Sequence, residues 1–461
     1  MKTKKINLKI ILIVCFGLVL IPAMWVLVFN MEGESPAIKF DSPAQITSLG
    51  ALKDITVSFS DQKRGLRKIK MEIVKDGKET VLTEKEYAKA SFFGAGQNKD
   101  TVSITIEPVK LGLKDGKALM RTSAWDYSWR RWWNGNITVI ENEINIDTKR
   151  PEIDVLGGTQ YINQGGAGVE IYRLSEPCQK SGVYAGGSFF PGYSGFFKDK
   201  DIYICFYALE HDKGPGTEIY ALAVDEAGNS AKRGFNVNIK ARKFNKDSIQ
   251  ITDSFLNAVV PQFDVNVDQN SENPLLDKYI KINRELRIEN HNKLKELIKN
   301  SDKEIYWKGA FISFPNAANK ASYADNRSYI YNGKRIDSQI HLGIDLASLS
   351  RAPVPAANNG KIKYVGDFGI YGKMILIDHG FGLYSLYGHL SSADVTVGQI
   401  VEKNYTIGHS GKTGLAGGDH LHFSMLVNDV FVNPIEWLDA SWIRNNISGK
   451  ISDAKSIIGT N

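Results

Sequence analysis

Six of the eight histidines in this 461-residue chain fall between His341 and His422. They cluster around three short runs: HLGID at 341–345, LYGHL at 386–390 and GDHLHF at 418–423. Imidazole changes charge near neutral pH and is a common metal ligand, so such a concentration points to metal or proton chemistry. In HLHF a strand would turn His420 and His422 to one face and Leu421 to the other. His341 and Asp345 are four residues apart, with Gly343 between them to let a strand end turn so that both side chains converge. A catalytic zinc site uses three nitrogen or carboxylate ligands and keeps a fourth position for water. Two histidines and one aspartate supply that set, a further histidine stands beside it, and His389, after a Tyr-Gly bend, offers another. His379 in IDHG and His409 in IGHS read as structural.

The elements that must position these residues are of several kinds. From about residue 305 glycines become frequent and strands are expected at 361–365, 374–378 and 421–427, giving an antiparallel β domain over 305–440, followed by a polar tail at 441–461. Upstream, residues 243–304 read as a helical linker. Leucines and isoleucines there recur at helical spacing among charged residues, Pro274 is placed to open a helix, and His291 reads as a surface residue. Residues 35–149 and 150–242 read as two immunoglobulin-like β-sandwiches. Apolar residues alternate at Ile55, Val57 and Phe59, at Ile69, Met71 and Ile73, and at Val169 and Ile171. SPAIKF (35–40) and RPEIDV (150–155) begin the two halves alike, and SAWDYS (123–128) answers LAVDEAGN (222–229). In the first sandwich, Trp125, Trp129, Arg130, Arg131, Trp132 and Trp133 form a sugar-stacking platform or, the simpler reading, one core tryptophan and a packed edge.

Residues 1–34 carry Lys2, Lys4, Lys5 and Lys9 and then an uncharged run, Ile10 to Phe29. Twenty helical residues reach about 30 Å, the thickness of a bilayer's hydrocarbon core. The run is longer than the apolar part of a signal peptide and has no small-x-small cleavage site. A single-pass anchor in the cytoplasmic membrane is expected, with the lysines inside and the rest exported. Without those four lysines, 53 of the 57 basic residues remain against 51 acids. The formal charge of +6 therefore belongs to the anchor, and no nucleic-acid partner is expected. Cys178 and Cys205 stand in one expected domain of an exported chain and are candidates for a disulfide.

HLGID, RAPVPAANNG (351–360), YGKMILIDHGFGLYSLYGHL (371–390), GHSGKTGLAGGDHLHF (408–423) and the Asn433-Pro434 pair, in that order, resemble the lysostaphin-type, or LytM-like, zinc metallopeptidases. Members cut peptide bonds in the stem or cross-bridge peptides of bacterial peptidoglycan. The resemblance covers about 130 residues and implies one zinc ion held by His341, Asp345 and His422, with His389 and His420 as the catalytic pair. Many relatives carry Glu after HLHF; this chain has Ser424. The whole is expected to be mainly β: an N-terminal transmembrane helix, two sandwiches, a helical linker and a C-terminal antiparallel β metallopeptidase domain. The function implied is hydrolysis of peptidoglycan cross-links, with a D-alanyl to diaminopimelate bond preferred. The alternative is a catalytically silent wall-binding protein or an activator of a separate hydrolase, but silent members typically lose ligands and this chain keeps all five residues.

Overall fold

The computed structural model describes residues 8–89 and 96–459. Lys2, Lys4 and Lys5, which carry most of the expected orientation, and the last two residues of the tail lie outside the described residues. The chain divides into two compact units, Met1–Arg150 with Val224–Ser230, and Pro151–Ala223 with Ala231–Asn461.

The first unit opens with a 23-residue helix, Leu8–Asn30. None of its apolar span is covered by protein, and Ile13, Phe16, Val19, Ile21 and Trp25 are all exposed. The helix is followed by two sheets. One is antiparallel, with Lys53–Ser60 between Ala37–Ser42 and Lys99–Ile106. The other runs in the order Ser48–Leu49, Ile137–Ile146, Gly116–Asp126, Leu66–Lys75, Lys78–Glu86. The expected period of two holds: Ile55, Val57 and Phe59 from one sheet and Ile69, Met71 and Ile73 from the other are buried in a single core. The two Ala-x-Asp segments end strands in the same way. Asp126 accepts the backbone N–H of Asn136 at 2.7 Å and its side-chain amide at 2.8 Å, and Asp225 accepts both groups of Asn229 at 2.8 Å. No core tryptophan emerges from the Trp-Arg cluster: Trp125 is half-buried, and Trp132 and Trp133 are exposed.

In the second unit, Ile202–Ala208 and Ala167–Leu174 pair antiparallel. Cys205 is buried and Cys178 partly buried, and no disulfide joins the two. The linker region is not wholly helical. Lys246–Gln250 adds a parallel strand to Asn326–Tyr331. Helices Asp253–Val259, Pro274–Lys281 and Arg287–Ile298 follow, the last two joined by a π turn at Ile282–Leu286. Pro274 sits in the first turn, and Asn273 caps the helix by accepting the Leu276 N–H at 3.1 Å. His291 is half-buried and stacks on Phe431 at 6.0 Å, which corrects its reading as a surface residue.

The C-terminal sheet runs in the order Ala318–Ala321, Ile344–Ala347, Leu421–Val427, Leu383–Leu390, Lys373–Gly380, Gly360–Asp367, Ile400–Val401, all antiparallel. The core of this sheet is continuous with that of residues 153–223. Phe206 lies 6.2 Å from Trp307 and 6.4 Å from Trp437, ring to ring.

Candidate active site

Sheet register brings the HLGID and HLHF motifs together. Asp345 pairs directly with His422, and Gly388 pairs with His422 from the other side. His389 follows at the strand end with φ +63°, a left-handed conformation costly for a side-chain-bearing residue. Its ring lies 4.8 Å from that of His420 and 5.8 Å from that of His422. Gly343 makes this approach possible: a Cβ there would stand 2.7 Å from the His422 ring and 2.6 Å from Ser424 Oγ.

Three ligand atoms converge. His341 Nε2 is 3.0 Å from Asp345 Oδ1 and 3.1 Å from His422 Nδ1, and His422 Nδ1 is 3.0 Å from Asp345 Oδ1. The other ring nitrogens fix the tautomers. His341 Nδ1 donates to the Ser322 carbonyl at 2.9 Å, so its Nε2 presents a lone pair. Ser424 Oγ donates to the Leu342 carbonyl at 2.7 Å and so accepts from His422 Nε2 at 2.9 Å, leaving His422 Nδ1 as the lone pair. Two imidazole lone pairs and a carboxylate oxygen then face one another with no proton between them, which is favourable only around a cation. Bonds of 2.0–2.1 Å in a tetrahedron set donor separations of about 3.3 Å, close to those observed. The residues fit a metal.

The surroundings keep these groups in the right charge state. Burial raises the Asp345 carboxyl, but the imidazoles of His341, His420 and His422 packed around it outweigh that and hold the group well below the usual range. Arg327 Nη2 adds a 2.7 Å bond to Asp345 Oδ2. Burial pushes His422 down to about 4. Burial, with His420 and His422 nearby, also holds His389 well below its ordinary value. His389 Nδ1 donates to the Thr413 carbonyl at 2.8 Å and turns Nε2 towards the site. His420 Nδ1 donates to the Gly418 carbonyl at 2.9 Å, and its Nε2 is 3.6 Å from Asp345 Oδ1.

All five expected residues line one cavity of about 370 Å³, with Arg287, Lys320, Arg327, Tyr329 and Tyr371 on its walls. Tyr331, two residues beyond Tyr329 in the same strand, is engaged elsewhere, donating to Asp253 at 2.8 Å and accepting from Asn273 at 3.0 Å. His379 is buried between the Asn359 carbonyl and Ser385, both at 2.7 Å, and His409 pairs with Asp394 at 3.2 Å; neither lines the cavity. Sequence reasoning passed over Arg327, Thr413 and Tyr371 as parts of the site and gave Ser424 no part. For Ser424 the alternation in HLHFS was a usable signal, because it puts residue 424 on the face of His422.

The converging donor set on an antiparallel sheet, flanked by two further histidines, defines the class: a metallopeptidase domain of LytM-like type. The model for Peptidase family M23 matches residues 339–434, the stretch that carries all five residues. The chain is similar to the DD-carboxypeptidase/endopeptidase Mpg of Neisseria meningitidis, 38% identical over 97 residues, 21% of this chain and 22% of that protein. It is also similar to the peptidoglycan DD-endopeptidase ShyA of Vibrio cholerae, 33% identical over 96 residues, 21% and 22% of the two chains. The catalytic domain of lysostaphin from Staphylococcus simulans superposes with a TM-score of 0.23 at 31% identity, over 27% of this chain and 92% of that one. The chain thus spans about a fifth of the length of the full-length relatives it matches.

Proposed function

We infer that this chain is a zinc-dependent endopeptidase that hydrolyses peptide cross-links of bacterial peptidoglycan, held at the outer face of the cytoplasmic membrane by its N-terminal helix. The observation that carries this reading is the convergence of His341 Nε2, Asp345 Oδ1 and His422 Nδ1 within 3.1 Å of one another. These atoms would hold one zinc ion, which when bound acts as a Lewis acid towards the scissile carbonyl and brings a water's pKa towards neutrality. His389, with its lone pair at Nε2, is suited to take a proton from the attacking water. His420, from the adjoining side, is suited to hold a proton towards the developing oxyanion, and the proton taken by His389 is then available for the leaving amine. Arg287, Lys320 and Arg327 give the wall a positive character that suits the carboxylates of a stem peptide. Residues 35–149 and 150–242 are assigned as immunoglobulin-like modules between anchor and catalytic domain.

The test is digestion of defined cross-linked muropeptides by the detergent-solubilised, zinc-loaded full chain, read by mass. Uncross-linked products are expected. Replacing His422 by Ala should abolish both zinc binding and cleavage, whereas replacing His389 by Ala should spare zinc and abolish cleavage. A zinc-loaded chain that leaves every cross-link intact would return the protein to the alternative of a wall-binding activator.

A further inference from the structure

The Trp-Arg cluster is left without a task by the catalytic reading, and its placement gives it one. Strands Gly116–Asp126 and Ile137–Ile146 are joined by a segment whose single helical turn, Arg130–Trp133, carries left-handed backbone at three consecutive residues: Arg131 (φ +53°), Trp132 (φ +56°) and Trp133 (φ +65°). Such conformations cost on the order of 1–3 kcal/mol each in residues other than glycine. The strain does not serve packing, because Trp132 is 89% exposed and Trp133 64% exposed. Two large rings are being presented.

The segment is fastened to the end of the apolar helix. The Trp129 N–H donates to the carbonyl of Asn30, the last helical residue, at 2.7 Å. Arg130 Nε donates to the Met31 carbonyl at 2.9 Å, and Ser128 Oγ to the Glu32 carbonyl at 2.9 Å. A Cβ on Gly33 would stand 2.8 Å from the Arg130 guanidinium, so that side chain lies flat on the chain leaving the helix. Arg67 holds the other side, donating to the carbonyls of Trp133 at 3.0 Å and Asn134. The helix carries its own aromatic pair at this end, Trp25 and Phe29, stacked at 5.5 Å. Arg131 is exposed and has no ion-pair partner among the described residues.

We propose that the Trp132-Trp133 turn is a membrane-interface foot that seats in the phospholipid headgroup layer where the Leu8–Asn30 helix leaves the bilayer. This rests on the reading of that helix as an uncleaved anchor. Continuity decides the occupant. A turn bonded directly to the helix's last residue stands at headgroup depth whenever the helix spans, and tryptophan is the residue enriched there, its apolar ring and N–H suited to a layer that is half wet. The Arg131 guanidinium is placed for the phosphate oxygens. A wall glycan would have to reach the same rings through that layer.

The test uses the full chain reconstituted in phosphatidylethanolamine/phosphatidylglycerol vesicles whose acyl chains are brominated close to the headgroup, with tryptophan fluorescence as the readout. In the Trp25→Phe protein, a quenched component is expected that disappears when Trp132→Phe and Trp133→Phe are added; both positions are at the surface, so folding is not at stake. In the Trp132→Phe/Trp133→Phe protein that keeps Trp25, quenching by bromines near the mid-chain reports insertion of the helix separately. Quenching of Trp25 without quenching of Trp132 and Trp133 overturns the foot and leaves the anchor standing. Loss of both overturns both. Titration with soluble peptidoglycan glycan fragments must leave the Trp132 and Trp133 emission unshifted; a shift there, with no lipid quenching, would make the turn a sugar platform instead.

Discussion

At the scale of single residues, the ligand set and the groups that orient it are separable by experiment. Ser424 stands where many relatives carry Glu, and its hydroxyl relays the Leu342 carbonyl to His422 Nε2. Replacing it with Ala removes the acceptor that fixes the imidazole tautomer, and zinc affinity measured by competition with a chromophoric chelator should fall about 10-fold or more. Arg327 bonds the outer oxygen of Asp345. Arg327→Met should weaken zinc binding by roughly 10- to 100-fold with unchanged far-UV circular dichroism. Strand alternation and glycine spacing, which are local facts, made the candidate cluster legible in the sequence; its division into proposed ligands and a proposed catalytic pair came from the resemblance to the LytM-like peptidases. Arg327 and Thr413 were not legible. Each lies 18 to 24 residues from the side chain it orients, and only the folded sheet brings them into contact.

At the scale of elements, close backbone approaches govern the site. Gly414 and Gly372 face each other so tightly that a Cβ on Gly414 would stand 2.3 Å from the Gly372 amide nitrogen. This contact seats the loop whose Thr413 carbonyl holds His389. Gly414→Ala should therefore lower kcat by a larger factor than zinc affinity, with the two measured on one preparation. A second element offers a pH test. Glu170, wholly buried in the strand Ala167–Leu174, has its carboxyl pushed up to about 7 by burial, against the partly compensating N–H of Ile171 and amide of Gln160. The folded chain thus holds a proton that the unfolded chain releases near 4.5. Stability is full below that pH and falls by roughly 3 kcal/mol as pH rises to about 7 and beyond. Glu170→Gln should flatten this decline in thermal melts taken from pH 5 to pH 8. Strands with clean alternation were readable from the sequence, as Ile55-Val57-Phe59 shows. The strand Lys246–Gln250 was not, because it is exposed at every position except a half-buried Ile249, and its pairing with Asn326–Tyr331 lies far along the chain.

At the scale of the whole molecule, the second compact unit is one core and not a catalytic domain with a detachable neighbour. Trp437, in the helix Pro434–Leu438, is fully buried against Trp307, Phe311 and Phe206. Trp437→Ala should cost about 3–5 kcal/mol, read as a lowered urea midpoint for this unit. A chain beginning at residue 305 would expose part of that surface, and weakened near-ultraviolet circular dichroism is the expected result. The sequence showed which faces were apolar but not which would meet, since hydrophobic burial carries no address. The same seam fixes more than stability. The Glu436 carboxylate accepts from Asn163 Nδ2 at 2.5 Å and from the Ala167 N–H at 3.3 Å, and the Asn433 N–H donates to the Gly165 carbonyl at 2.8 Å. From this clamp back to His422 the chain runs through two short, almost wholly buried strands, Val430–Val432 and Leu421–Val427. In mechanical terms, residues 151–223 are a handle on the strand that carries His422. A pull applied there arrives at His422 with little slack to absorb it, so load on the scaffold would be felt as geometry at the catalytic centre.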